Sequence, residues 1–165
     1  MGYVKEKEIM PRTFVIRGKA PAARTHTLIQ LSSYDPTEQF QIIDFRIAPA
    51  GNPAQFNGYG VLTLNRDDAK DPKDWNWSAQ REIAWAHSTV RQPVPPGIGE
   101  SISMYEQHYA DLDKWFNYDI WLHTEDQLAN EEVNYMIKIY KQRTSKEAGS
   151  ISSLSQYLVG GPDSP

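Results

Sequence analysis

At 165 residues with a net charge of −4 and no cysteine, the chain suits one domain and excludes disulfides, thiolate metal sites and thiol catalysis. A chain of this length buries roughly 70% of its unfolded surface, enough for a core without covalent staples. Acidic and basic residues are mixed along it rather than segregated, which disfavours the basic patch that nucleic-acid binding needs.

The start, "MGYVKEKEIM", alternates charges and has no apolar h-region, so no secretory signal is expected. Glu6 stands where a myristoylation motif at Gly2 requires Ser or Thr. Residues 1–11 read as an N-terminal arm whose Tyr3, Val4, Ile9 and Met10 are free to reach a neighbouring subunit. From Arg12 the apolar period is two, the mark of strands. "RTFVIRGKA" (Arg12–Ala20) ends at Gly18 and Pro21, and "HTLIQLS" (His26–Ser32) stops at the turn "SSYDP". "QFQIIDFRIAP" (Gln39–Pro49) sets Ile43, Phe45 and Ile47 on one face and Asp44 and Arg46 on the other. After the turn residues "AGNPAQFNG" come "GYGVLTLNR" (Gly58–Arg66), an acidic loop, and "EIAWAHSTV" (Glu82–Val90). Three prolines stiffen "RQPVPPGIG", and "ESISMYEQ" (Glu100–Gln107) is a weaker strand. In "WFNYDIWLHT", Phe116, Tyr118, Ile120 and Leu122 point one way, with Trp115, Asn117, Asp119, Trp121 and His123 opposite. "TEDQLAN" reads as a helical turn or loop, and "EEVNYMIKIYKQRT" turns Val133, Tyr135, Ile137 and Ile139 inward.

Eight short strands with turn signals between them, and long connectors at Ala50–Asn57, Asn65–Arg81 and Gln92–Gly99, predict an all-β, eight-stranded antiparallel jelly-roll sandwich over residues 12–144. Long connectors argue against an up-and-down barrel, and the missing Cys-Trp-Cys mark argues against an immunoglobulin sandwich. Ile151, Leu154 and Leu158 at i, i+3 and i+7 predict a short C-terminal helix over 145–159, followed by a disordered tail at 160–165. No apolar run approaches the ~20 residues of a transmembrane helix.

The chemistry-bearing residues are sparse. Asp67, Asp68, Asp71 and Asp74 offer oxygen ligands, but Lys70 and Lys73 offset them and the spacing is not that of an EF-hand. This segment is expected to be a solvated turn-rich loop. Trp75 and Trp77 share a side if "WNW" is extended; they either lid one end of the sandwich or anchor a partner. His26, His87, His108 and His123 fall on separate elements without a ligand spacing, so no metal is expected. Asp111, Asp113, Asp119, Glu125 and Asp126 supply carboxylate pairs of the kind any acidic protein has. No nucleophile elbow, P-loop or dinucleotide fingerprint is present. The expectation is a non-enzyme, without catalytic residues, cofactor or metal, whose candidate partner-binding residues are Tyr3, Val4, Ile9, Met10, Trp75, Trp77, Leu154 and Leu158.

Phe45 to Gly51, Gly60 to Thr63, the acidic loop Asp67 to Trp77, and Ile83 to Ala86, followed by "YDIWLHTED" and "VNYMIKIYKQ", resemble segments of small virion structural proteins of marine bacterial viruses. The resemblance spans Asp44 to Ser155 and implies a capsid, vertex, decoration or attachment component with no catalytic residues to transfer. It implies a homo-oligomer, trimer or pentamer, bound to other virion proteins and assembled in the host cytoplasm. "KEKE" is charge-balanced where many shell proteins carry a basic arm, which favours an auxiliary or external component. The competing expectation is a carbohydrate-binding β-sandwich that stacks sugars on Trp75 and Trp77, with Trp115 or Trp121 and calcium at Asp67, Asp68 or Asp71.

Overall fold

Alternating apolar residues pay off as strands only where one face is buried, and the sequence supplies eight such stretches. The computed structural model describes residues 12–31, 35, 37–51, 53–66, 82–91 and 103–143. The strands are β1 (Arg12–Ala20), β2 (Thr25–Ile29), β3 (Glu38–Pro49), β4 (Gln55–Thr63), β5 (Glu82–Arg91), β6 (Ser103–Ala110), β7 (Ile120–Asp126) and β8 (Val133–Arg143). They form two antiparallel sheets, β1-β8-β3 and β2-β7-β4-β5-β6. Among the described residues there is no helix, and none long and apolar enough to cross a membrane. The helix expected over 145–159 lies outside the described residues.

The core is the space between the sheets. Ile42, Phe45 and Ile47 of β3 and Val133, Ile137 and Ile139 of β8 meet Phe56 and Leu62 of β4, Ala84 and Ala86 of β5, and Ile120 and Leu122 of β7. Each such side chain, moved from water to this interior, stabilises the fold by roughly 1.5–3 kcal/mol before chain entropy is subtracted. Gly60 makes room for the packing: a Cβ there would lie 2.8 Å from Phe45 Cζ and 3.1 Å from Ile47 Cγ2. The Tyr135 ring lies across Gly18, its register partner on β1, and fills the space of the missing side chain.

Three local expectations need correction. Ile42, not Ile43, joins Phe45 and Ile47 in the core, because the β3–β8 register shifts between Ile42 and Asp44. The extra residue of this bulge reverses the alternation that period two assumes. Tyr118 points outward and is 48% exposed, because strand geometry begins only at Ile120. Before it, Phe116 is buried through an isolated bridge to Phe40. Finally, Thr124 to Asp126 continue β7, so "TEDQLAN" is half strand.

β6 ladders with β5 and leaves three strands in the other sheet. Its inner row, Met104, Glu106, His108 and Ala110, stands opposite Val90, Ser88, Ala86 and Ala84. The two polar members face β3 instead of filling the core. His108 Nε2 lies 3.8 Å from Asp44 Oδ1, and Arg46 lies 3.0 Å from Asp44 and 4.0 Å from Glu106. Polar side-chain contacts, not a backbone ladder, therefore bridge β3 and β6 among the described residues.

Asp126 organises the β7–β8 turn. Its buried carboxylate accepts backbone N–H groups from Asn57 and Leu128 on Oδ1, and from Asn130 and Glu131 on Oδ2. Within this turn Ala129 holds φ 52°, the left-handed region that disfavours a Cβ. Asp126→Ala is expected to lower stability by about 3 kcal/mol or more, since four donors lose a charged acceptor. Ala129→Gly is expected to raise it by about 1 kcal/mol, relieving the left-handed strain. Urea unfolding of both variants checks the two signs; equal stabilities would refute this account of the turn.

Candidate functional site

Side chains that point away from the core on the five-stranded sheet share its outer face. Register places His26 opposite His123, Tyr59 opposite His87, and Thr89 opposite Tyr105. Two aromatic and imidazole clusters result, neither of which the spacing in sequence suggested.

The first joins His26, His123 and Thr63. Thr63 Oγ1–H donates to the Asn65 carbonyl at 2.6 Å, so its oxygen accepts from His123 Nε2–H at 2.8 Å. His123 Nδ1 is then the acceptor, and His26 Nδ1–H donates to it at 2.5 Å. The chain of donors ends on a backbone carbonyl, which cannot take up a proton. The cluster is built to lock strands together, not to relay protons. His123 is 0% exposed although its strand row faces outward. Burial, with added repulsion from His26 and Arg66, depresses its pKa to about 4.

The second cluster lies on β4, β5 and β6. The Tyr59 and His87 rings stack with centroids 4.1 Å apart and planes 6° from parallel. Tyr105 approaches His87 edge-on at 6.3 Å. His87 Nε2–H donates to Asn57 Oδ1 at 2.8 Å, and burial lowers the imidazole's pKa, so the ring is neutral at pH 7 and Nδ1 keeps its lone pair. These rings wall an open cleft of about 710 Å³ whose remaining polar lining is Gln55, Thr89 and Arg91. That volume falls within the range of small-molecule sites.

The residues singled out from sequence behave differently. Tyr3, Val4, Ile9, Met10, Trp75, Trp77, Leu154 and Leu158 lie outside the described residues, as do Asp67, Asp68, Asp71 and Asp74. The carboxylates expected to form pairs serve turns, strand ends and local ion pairs instead. Asp111 Oδ1 accepts from the Asp113 N–H, Asp119 Oδ1 from the Leu31 N–H, and Glu125 pairs with Arg24 and Gln127. Asp126 is the turn hub described above. Trp115 sits against Tyr140 on a different part of the fold, whereas Trp121 lies under the Arg66 guanidinium. Among the described residues no group of three or more His, Cys, Asp or Glu side chains is placed to share a metal ion.

Comparison with known protein families, curated proteins and solved structures finds no match.

The buried imidazole gives the fold a signed pH dependence. A histidine held near 4 when folded binds its proton more weakly than the unfolded chain, whose ordinary value is 6.5. Its contribution is complete above about 6.5 and is lost as pH falls towards 4. The loss is on the order of 3 kcal/mol. Denaturant titrations between pH 7 and pH 4 should show wild type losing more stability than His123→Gln; parallel curves would disprove the assignment.

Proposed function

We propose that this chain is a non-enzymatic structural subunit of a virus particle: an eight-stranded jelly roll that assembles with copies of itself and with other particle proteins. The observation that carries this reading is the pairing of the strands. A jelly roll is an antiparallel ribbon, first strand with last and so inward, wrapped into two sheets. Here β1 ladders with β8, β2 with β7, and β4 with β5. The fourth rung of such a ribbon, β3 with β6, is not laddered: β6 pairs with β5, and it reaches β3 through Arg46 to Glu106 at 4.0 Å and His108 to Asp44 at 3.8 Å. Three of the four rungs support the reading, and two-sheet jelly rolls recur in viral capsid domains.

The edge supplies the second support. β6 ends the five-stranded sheet and its side chains are exposed, including Met104 at 75%. Leu112, just past its end, is 55% exposed. Uncovered apolar groups on an edge strand invite pairing with another chain, and monomeric proteins normally blunt them with charge or proline. A C-terminal helix over 145–159 and the arm at 1–11 complete the proposed subunit as connections to its neighbours. Assembly in the host cytoplasm and residence in the virion follow from this reading.

Light scattering on the purified chain should report a closed oligomer, a trimer or pentamer, because closed rings satisfy every interface. Removing residues 1–10, or introducing Met104→Asp with Leu112→Asp, should reduce its mass to that of a monomer. A monomer at all concentrations in the wild type would refute self-assembly.

A further inference from the structure

The cleft on the outer face of β4, β5 and β6 includes neither Met104 nor Leu112 of the proposed subunit contact, and its lining is specific. One wall is aromatic: Tyr59 stacked on His87, and Tyr105, 52% exposed, set against the His87 ring. Phe56, Val90 and Leu128 add apolar lining, and the other described lining residues are hydrogen-bonding and neutral, save for one cation. Gln55, Asn57 and Thr89 offer amides and a hydroxyl, and the neutral His87 keeps an acceptor nitrogen. Arg91 is exposed, and it has no ion-pair partner among the described residues. Among the described residues no carboxylate lines the cleft.

A ligand matching this surface needs a flat C–H face for a tyrosine ring, several hydroxyls at its rim, and one negative charge for a guanidinium. An uncharged apolar ligand would leave the amides without partners, and a cation would meet Arg91. A polyphosphate would demand several cations where the cleft has one. A pyranose ring carrying a carboxylate satisfies all three requirements. Its axial C–H bonds stack on an aromatic face, its hydroxyls exchange water for amide partners, and its carboxylate takes the bidentate fork of arginine.

We propose that the β4–β5–β6 cleft binds a uronic-acid unit of an acidic polysaccharide, with Tyr105 as stacking platform and Arg91 as the carboxylate anchor. Tyr59, His87 and Asn57 hold one another in place and so fix the wall against which the ring lies. The site shares strand β6 with the proposed assembly edge but uses neither Met104 nor Leu112, so substitutions separate the two. It also rests on residues other than Trp75 and Trp77.

Calorimetry and affinity electrophoresis with oligogalacturonate test the site, with a neutral gluco-oligosaccharide of equal length as control. Tyr105→Ala should weaken oligogalacturonate binding about tenfold, while Tyr105→Phe leaves it nearly unchanged. Arg91→Gln should bring binding of the acidic chain down to that of the neutral one, and added salt should do so in part. Both residues are exposed, so circular dichroism of the variants should match wild type. No binding of oligogalacturonate, or binding that ignores both substitutions, overturns the proposal. Equal binding of acidic and neutral chains by the wild type overturns the uronate assignment. Self-association abolished by Tyr105→Ala without any saccharide binding also overturns it and assigns the cleft to a second copy of the chain.

Discussion

β8 is the strand on which the rest of the structure depends. It lies at the centre of its sheet, with β1 on one side and β3 on the other, so it must satisfy two ladders at once. It also turns Val133, Ile137 and Ile139 into the core with no exposure at all. A strand with two paired edges and one buried face has its register fixed three times over, because a one-residue slip would expose the whole apolar row. Since β8 comes last among the strands and β1 first, this constraint closes the chain on itself. Most contacts are consequently long-range, and the ends of the sandwich are held by side chains that reach far along the sequence, as Asp126 does to Asn57.

The second sheet is wider, and its two faces do different work. The inner face packs apolar residues against β3 and β8. The outer face carries imidazoles and aromatics in cross-strand rows, where neighbouring positions are close enough for rings to stack. One row is closed by burial: His123 is sealed between His26 and Thr63 and works as a strand lock. Another stays open at β6, which ends the sheet among the described residues, and there Tyr59, His87 and Tyr105 wall a cleft. The same chemistry thus serves rigidity at one end of the face and recognition at the other, according to access.

The seam between β3 and β6 shows how charge can replace a ladder. Glu106 and His108 occupy inner-row positions where apolar residues would have extended the core, and they face Asp44 and Arg46 across the gap. These groups are partly exposed, so each pair contributes little to stability. Their effect is geometric: they hold β6 beside β3 while its backbone pairs elsewhere. The bulge at Ile42/Asp44 lies at the same place, bending β3 where such a ladder would have run.

The sequence by itself determined the existence and order of the eight strands among the described residues, while the starts of β4, β6 and β7 lie three to five residues from where the pattern placed them. Period two and turn residues are local, and strands such as Arg12–Ala20 carry their own boundaries. It also indicated the inward row of β8 from Val133 to Ile139. The partition into three and five strands, the parity change at Ile43 and the outward turn of Tyr118 were decided by tertiary structure. A bulge or a bridge such as Phe40 to Phe116 exists only when the partner strand is present. The outer-face clusters belong to the same class. His26 and His123 stand 97 positions apart, and Asn57 and His87 stand 30 apart, so only the registers of β2 with β7 and β4 with β5 make them neighbours. Composition supplied the imidazoles and the rings; strand pairing decided which of them meet.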